Sequence, residues 1–147
     1  MKSKKRVGVA VFPGSNCDHD VMHFYSTVMG AETVALWHKD SVLPELDLVV
    51  IPGGFSYGDY LRTGALAKLS PIMGEIARFA KAGRPVLGIC NGFQILCEAG
   101  LLPGALIQNV GMKFLSRFVH IRVEKSSSIF TNGLEEGQVI TCPVAHF

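Results

Sequence analysis

Short apolar runs alternate along the chain with amphipathic stretches. Val7-Gly8-Val9-Ala10-Val11-Phe12 is apolar without a break and stops at Pro13-Gly14, the pattern of a central strand buried on both faces. Between positions 18 and 29 the apolar residues Val21, Phe24, Tyr25, Val28 and Met29 recur at helical spacing, and Gly30 supplies a stop. Residues 33–37 read as a second strand and 46–51 as a third, closed by Pro52-Gly53-Gly54. Ser70-Pro71 offers a cap and a first-turn proline to a helix with an apolar face of Ile72, Ile76, Phe79 and Ala80, ended by Gly83. Residues 85–89 form a fourth strand, and 91–99 a helix stopped by Gly100. This alternation predicts an α/β fold, an open and mostly parallel sheet with helices on both faces. The tail differs. Residues 118–123 place Val119, Ile121 and Val123 on one side and Phe118, His120 and Arg122 on the other, as an antiparallel or edge strand does. Residues 138–142 are a last short strand. No repeat, low-complexity tract or linker interrupts residues 1–147, so a single domain is expected.

Composition narrows the picture. A hydrophobic fraction of 48% against 18% charged residues excludes a disordered chain. A net charge of +2 gives no electrostatic case for nucleic-acid binding. Met1-Lys2-Ser3-Lys4-Lys5-Arg6 resembles the basic head of a leader, but the apolar run behind it is too short for a secretory core. No run is long enough to span a bilayer, so a cytoplasmic protein without membrane contact is expected. The four cysteines, Cys17, Cys90, Cys97 and Cys142, form no C-x-x-C pair and no zinc spacing. They are expected to be reduced thiols, with no metal site.

One of them sits in a distinctive setting. Gly88-Ile89-Cys90-Asn91-Gly92 is G-x-C-x-G at a strand-to-helix junction, the cysteine form of a nucleophile elbow. A nucleophile on so tight a turn is strained, and side chains two residues to either side collide; glycine at both places removes the clash. The turn lifts the sulfur clear of the sheet and sets it at a helix N-terminus, where the dipole favours thiolate. The backbone amide of Asn91 then points at an oxyanion formed beside Cys90. Alone, such a segment is as easily a buried cysteine in a glycine-rich turn. The second glycine loop, Gly53-Gly54-Phe55-Ser56-Tyr57-Gly58-Asp59-Tyr60, favours the nucleophile. Loops at the carboxyl ends of adjacent parallel strands meet over one crevice, and Gly54 is the best candidate for a second oxyanion amide. The alternatives for that loop are an ordinary turn or a phosphate cradle, although it lacks the Lys-Ser/Thr end of a P-loop.

Gly-Ile-Cys-Asn-Gly-Phe-Gln at 88–94 resembles the nucleophile segment of the triad (class I) glutamine amidotransferases, which have a flavodoxin-like sheet. Within them, Phe12-Pro13-Gly14-Ser15-Asn16-Cys17-Asp18, the stretch from Gly53 to Arg62, and Cys142-Pro143-Val144-Ala145-His146 resemble the glutaminase subunits of phosphoribosylformylglycinamidine synthase. The resemblance runs the whole length. It implies that Cys90 attacks the side-chain amide of L-glutamine, that the amides of Gly54 and Asn91 hold the oxyanion, and that Gly53, Gly54, Phe55 and Gln94 bind the substrate. It also implies that ammonia passes to a large synthetase subunit, with a small accessory subunit, to convert formylglycinamide ribonucleotide to its amidine in purine biosynthesis. ATP and Mg belong to that synthetase, and this chain carries no cofactor.

The chain departs from the pattern at its end. The family's base and orienting acid form a His-x-Glu pair beyond the position of His146, and no His-x-Glu occurs in these 147 residues. The resemblance therefore implies a domain incomplete at the C-terminus and inactive alone. Of the five histidines, His19, His23, His38 and His120 read as surface or half-buried polar residues, and His146 is the best placed to serve as a base. Rival readings are a non-catalytic relative that keeps only a partner surface, a peptidase- or chaperone-like cysteine-elbow protein, and a redox-sensing thiol. The second is disfavoured by Asn91 where those proteins carry histidine. The third is disfavoured by the distance from Cys90 to Cys97, nearly two helical turns. The Ser15-Asn16 segment is either partner-facing or a turn in which Asp18 caps a helix.

Overall fold

The structure, a computed structural model, describes residues 4–147; the leader-like start falls partly on residues 1–3, which lie outside the described residues. The chain divides into two compact units, Met1–Leu106 and Ile107–Phe147.

The first unit is built on a four-stranded sheet of β1 (Arg6–Val11), β2 (Glu32–Trp37), β3 (Leu48–Ile51) and β4 (Val86–Gly88) in the order β2-β1-β3-β4. All three pairings are parallel. The two-residue period of a strand explains why its apolar runs are unbroken. Val7, Val9 and Val50 face Val21 of α1 (Asp18–His23) on one side. Ala10, Val49 and Ile51 face Ile72 and Ile76 of α2 (Pro71–Lys81) and Ile95 of α3 (Asn91–Glu98) on the other. Helices thus cover both faces, as the alternation predicted.

The differences from expectation have local causes. The first helix is α-helical only to His23 and continues as a π-helical turn, Phe24–Val28, in which the Met29 amide donates to the carbonyl of Phe24. Asp18 does not cap it. Cys17 holds the N-cap position without a side-chain hydrogen bond, and Asp18 is buried in the first turn. Ser70 precedes Pro71 of α2 as expected, but its hydroxyl meets the Tyr57 hydroxyl at 2.8 Å instead of capping.

The second unit carries β5 (Leu115–Arg122) and β6 (Val139–His146), paired antiparallel with Val119 opposite Cys142. β6 runs past Pro143, which reads as a breaker in sequence. Each strand of a two-stranded sheet has a free edge, and proline is tolerated on an edge.

Candidate active site

Three loops leave the carboxyl ends of neighbouring strands: residues 12–17 after β1, 52–60 after β3 and 89–91 after β4. The first two are laced backbone to backbone. The amides of Asn16 and Cys17 donate to the Gly53 carbonyl at 3.3 and 3.2 Å, Phe55 donates to Gly14 at 2.9 Å, and Tyr57 donates to Pro13 at 2.6 Å. Ser15 and Gly54 bridge in antiparallel fashion. A Cβ on Gly14 would stand 2.3 Å from the Phe55 carbonyl oxygen, and one on Gly54 would stand 2.5 Å from the Asn16 nitrogen. These glycines let two main chains touch. The Ser15 segment is therefore a brace for the second glycine loop.

Cys90 stands between β4 and α3 at φ 52° and ψ −111°, a conformation that costs a non-glycine residue on the order of 1–3 kcal/mol. Both flanking glycines are sterically required. A Cβ on Gly88 would fall 2.7 Å from the carbonyl carbon of Gly92, and one on Gly92 would fall 1.9 Å from the Ile51 carbonyl oxygen. The thiol is free and exposed. Among the described residues, neither the Gly54 nor the Asn91 amide donates a backbone hydrogen bond of a turn, loop or cap. A Cβ on Gly53 would lie 3.4 Å from the Cys90 Cβ, so the second glycine loop passes directly beside the elbow.

The side chain of Asn91 joins the two. It is 2% exposed. Its Oδ1 accepts the Ser56 amide at 3.1 Å, while its Nδ2 donates to Asp59 Oδ1 at 3.2 Å and to Gln94 Oε1 at 3.1 Å. Burial raises the Asp59 carboxyl above the usual carboxylate range, opposed by hydrogen bonds from Asn91 and the Gly64 amide. Further along, Glu98 of α3 takes both ends of the Arg62 guanidinium at 2.8 Å and Lys68 at 3.5 Å, fastening the remainder of the loop to the helix. The sequence pattern marks only the backbone amide of Asn91 and assigns no role to Ser56 or Asp59. A polar residue directly after an elbow cysteine is a weak signal, because its partners lie 35 and 32 positions away.

The remaining sequence-marked residues separate. Phe55 is exposed at the loop tip. Cys17 lies near the elbow, with its sulfur 3.6 Å from the same hypothetical Gly53 Cβ. Its thiol is pushed up, first by burial and then by Asp20, Cys90 and Asp18, which keeps it protonated. Cys97 is buried. His38 is buried with Nδ1 2.7 Å from the Tyr57 hydroxyl, and burial lowers its pKa. His23 meets Thr27 within its own helical segment. In the second unit, His120 Nδ1 lies 3.2 Å from Thr141 Oγ1, and His146 is exposed at the end of β6.

Comparison with known proteins adds to this geometry. The CobB/CobQ-like glutamine amidotransferase domain matches residues 4–147. The chain is 56% identical over 141 residues to phosphoribosylformylglycinamidine synthase subunit PurQ of Salinibacter ruber, covering 96% of this chain and 60% of that protein. It is likewise 56% identical over 141 residues to the subunit PurQ of Rubrobacter xylanophilus, covering 64% of it. The chain thus spans less than two thirds of the length of these relatives. Among solved structures, a chain in the structure of PurLQS from Thermotoga maritima superposes with a TM-score of 0.90 at 47% identity, covering 98% of this chain and 67% of that one.

Proposed function

This chain belongs to the CobB/CobQ-like glutamine amidotransferase domain family, and from that premise we propose that it carries the thiol half of a glutaminase. The Cys90 sulfur attacks the carbonyl carbon of the glutamine side-chain amide. The resulting oxyanion lies against the amides of Gly54 and Asn91, the carbon–nitrogen bond breaks as the nitrogen takes up the proton the thiol gave up, ammonia leaves, and water later hydrolyses the glutamyl thioester to glutamate and free thiol. One observation carries this reading: a strained, exposed Cys90 has the Gly53 position of the second glycine loop packed beside it, and neither the Asn91 amide nor the Gly54 amide donates a backbone hydrogen bond of a turn, loop or cap among the described residues. Substrate glutamine is held by Gln94 and by the loop at Gly53, Gly54 and Phe55.

Similarity to PurQ subunits supports the wider role. Ammonia made at Cys90 serves a large synthetase subunit, assisted by a small one, that forms the amidine of formylglycinamide ribonucleotide. ATP and Mg act in that synthetase, and the chain itself uses no cofactor. Among the described residues no helix is long and apolar enough to cross a membrane, in keeping with a cytoplasmic purine enzyme. The general acid–base pair is the part these 147 residues do not supply, because they contain no His-x-Glu. Such a pair typically contributes about 10²- to 10⁴-fold.

The test is ammonia release from glutamine by the 147-residue chain, by Cys90→Ala and by His146→Ala. The expected result is slow release that Cys90→Ala abolishes and His146→Ala leaves unchanged. Release that survives Cys90→Ala removes the nucleophile, and release lost in His146→Ala makes that histidine the base.

A further inference from the structure

Hydrogen-bond polarity around Asn91 leads one step further, resting on the glutaminase reading above. The Ser56 main-chain N–H can only donate, so the group it meets at 3.1 Å is the Asn91 side-chain carbonyl oxygen. That fixes the Asn91 amide, whose nitrogen must face Asp59 and Gln94. Gln94, meeting an N–H donor, must offer its oxygen. What remains free on Gln94 is its NH₂ group, which has no hydrogen-bond partner among the described residues. A backbone N–H 38 positions upstream thereby determines which end of a glutamine side chain is presented. Gln94 is half-buried, one helical turn after Cys90 on α3.

We propose that the Asn91 side chain is a positioning residue that sets the polarity of Gln94, so that Gln94 meets the substrate as an N–H donor to an oxygen of glutamine. The relay also explains the burial of an amide side chain inside the elbow. Asn91 holds the second glycine loop against the elbow and orients the substrate contact in one network, and loss of its Nδ2 affects both.

The probe is a diazoketone analogue of L-glutamine, whose electrophilic carbon stands where the amide would be. Its covalent capture by Cys90 gives a half-saturating concentration and a maximal rate, and iodoacetamide reports the thiolate separately. In Asn91→Asp, the side chain still accepts from Ser56 but has no N–H for Gln94. Gln94 then turns its own N–H toward position 91 and its oxygen toward the ligand. The half-saturating concentration should rise about tenfold, the scale of a lost hydrogen bond that leaves an oxygen unpaired. Gln94→Glu keeps the oxygen that Asn91 binds and replaces only the NH₂ group. It should give the same rise, and it carries the test if Asn91→Asp fails to fold. A role for Asn91 in stability alone would lower the melting temperature and leave half-saturation where it was. Unchanged half-saturation in both variants, with Cys90 still captured, overturns the proposal. A wild-type chain that reacts with iodoacetamide but shows no saturable capture overturns the glutamine reading itself, and this inference with it.

Discussion

At the scale of single residues, the site depends on what glycine omits. Gly88 and Gly92 have no φ requirement of their own; their role is to let β3, β4 and α3 approach within van der Waals contact of one another. Gly83 is different. It ends α2 at φ 78° with nothing within 4 Å of a hypothetical Cβ. The two situations carry different costs. Gly83→Ala places alanine in the left-handed region and should destabilise by about 1 kcal/mol. Gly92→Ala drives a methyl into the Ile51 carbonyl and should cost about 3 kcal/mol. Thermal or urea unfolding of the two variants checks the order, and a Gly92→Ala chain as stable as Gly83→Ala would mean that the elbow yields easily. The need for both glycines was legible in G-x-C-x-G, because the clash follows from the tightness of the turn. The atom met by Gly92 was not legible, since Gly92 lies in α3 and Ile51 lies 41 positions earlier at the end of β3.

At the scale of elements, the loop between β3 and α2 is fastened to α3 at both ends of the helix. Asn91 holds Ser56 and Asp59 near the start, and Glu98 holds Arg62 and Lys68 near the end. The Arg62 hydrogen bonds, more than any other contact, hold the Glu98 carboxyl down to about 2, against burial, which raises it. A folded-state pKa below the unfolded value gives stability that is fully present above the unfolded value of about 4.5 and lost as pH falls toward about 2. Glu98→Gln should therefore lower stability at neutral pH and flatten the acid limb of a stability–pH curve between those values. Arg62 is largely exposed, so solvent screens part of the effect. An acid limb identical in Glu98→Gln and wild type would show that the clasp contributes nothing. The elements themselves were mostly legible. Unbroken apolar runs gave β1, β3 and β4, and helical spacing with Pro71 and Gly83 gave α2. The π-helical turn after His23 was hidden, because a one-residue slip in hydrogen bonding leaves apolar spacing almost unchanged over a single turn. The extension of β6 through Pro143 was hidden because the penalty for proline depends on which edge of a strand is free.

At the scale of the whole molecule, four parallel strands collect three loops at one edge of the first unit, where the crevice of an open α/β sheet lies. Sequence alone indicated that the β3 and β4 loops would meet there. It did not show that the β1 loop braces the β3 loop through Gly53 and Gly54, because main-chain hydrogen bonds between loops leave little trace in residue types. It also did not show Cys17 arriving beside Cys90. The second unit is differently made: Val123 is its one hydrophobic residue in the buried core among the described residues, and Phe118, Ile129 and Val139 are exposed. The first unit holds Cys90, the thiol proposed to form an acyl bond with glutamine. With no His-x-Glu in these residues to activate water, the glutamyl thioester should persist long enough to observe. The direct measurement is acid quenching of the chain after incubation with isotope-labelled L-glutamine, followed by mass spectrometry of its peptides. One labelled glutamyl group is expected on the peptide that holds Cys90, absent in Cys90→Ala. Label on Cys17, Cys97 or Cys142, or a chain that releases ammonia from glutamine with no label on Cys90 at any quench time, would contradict it.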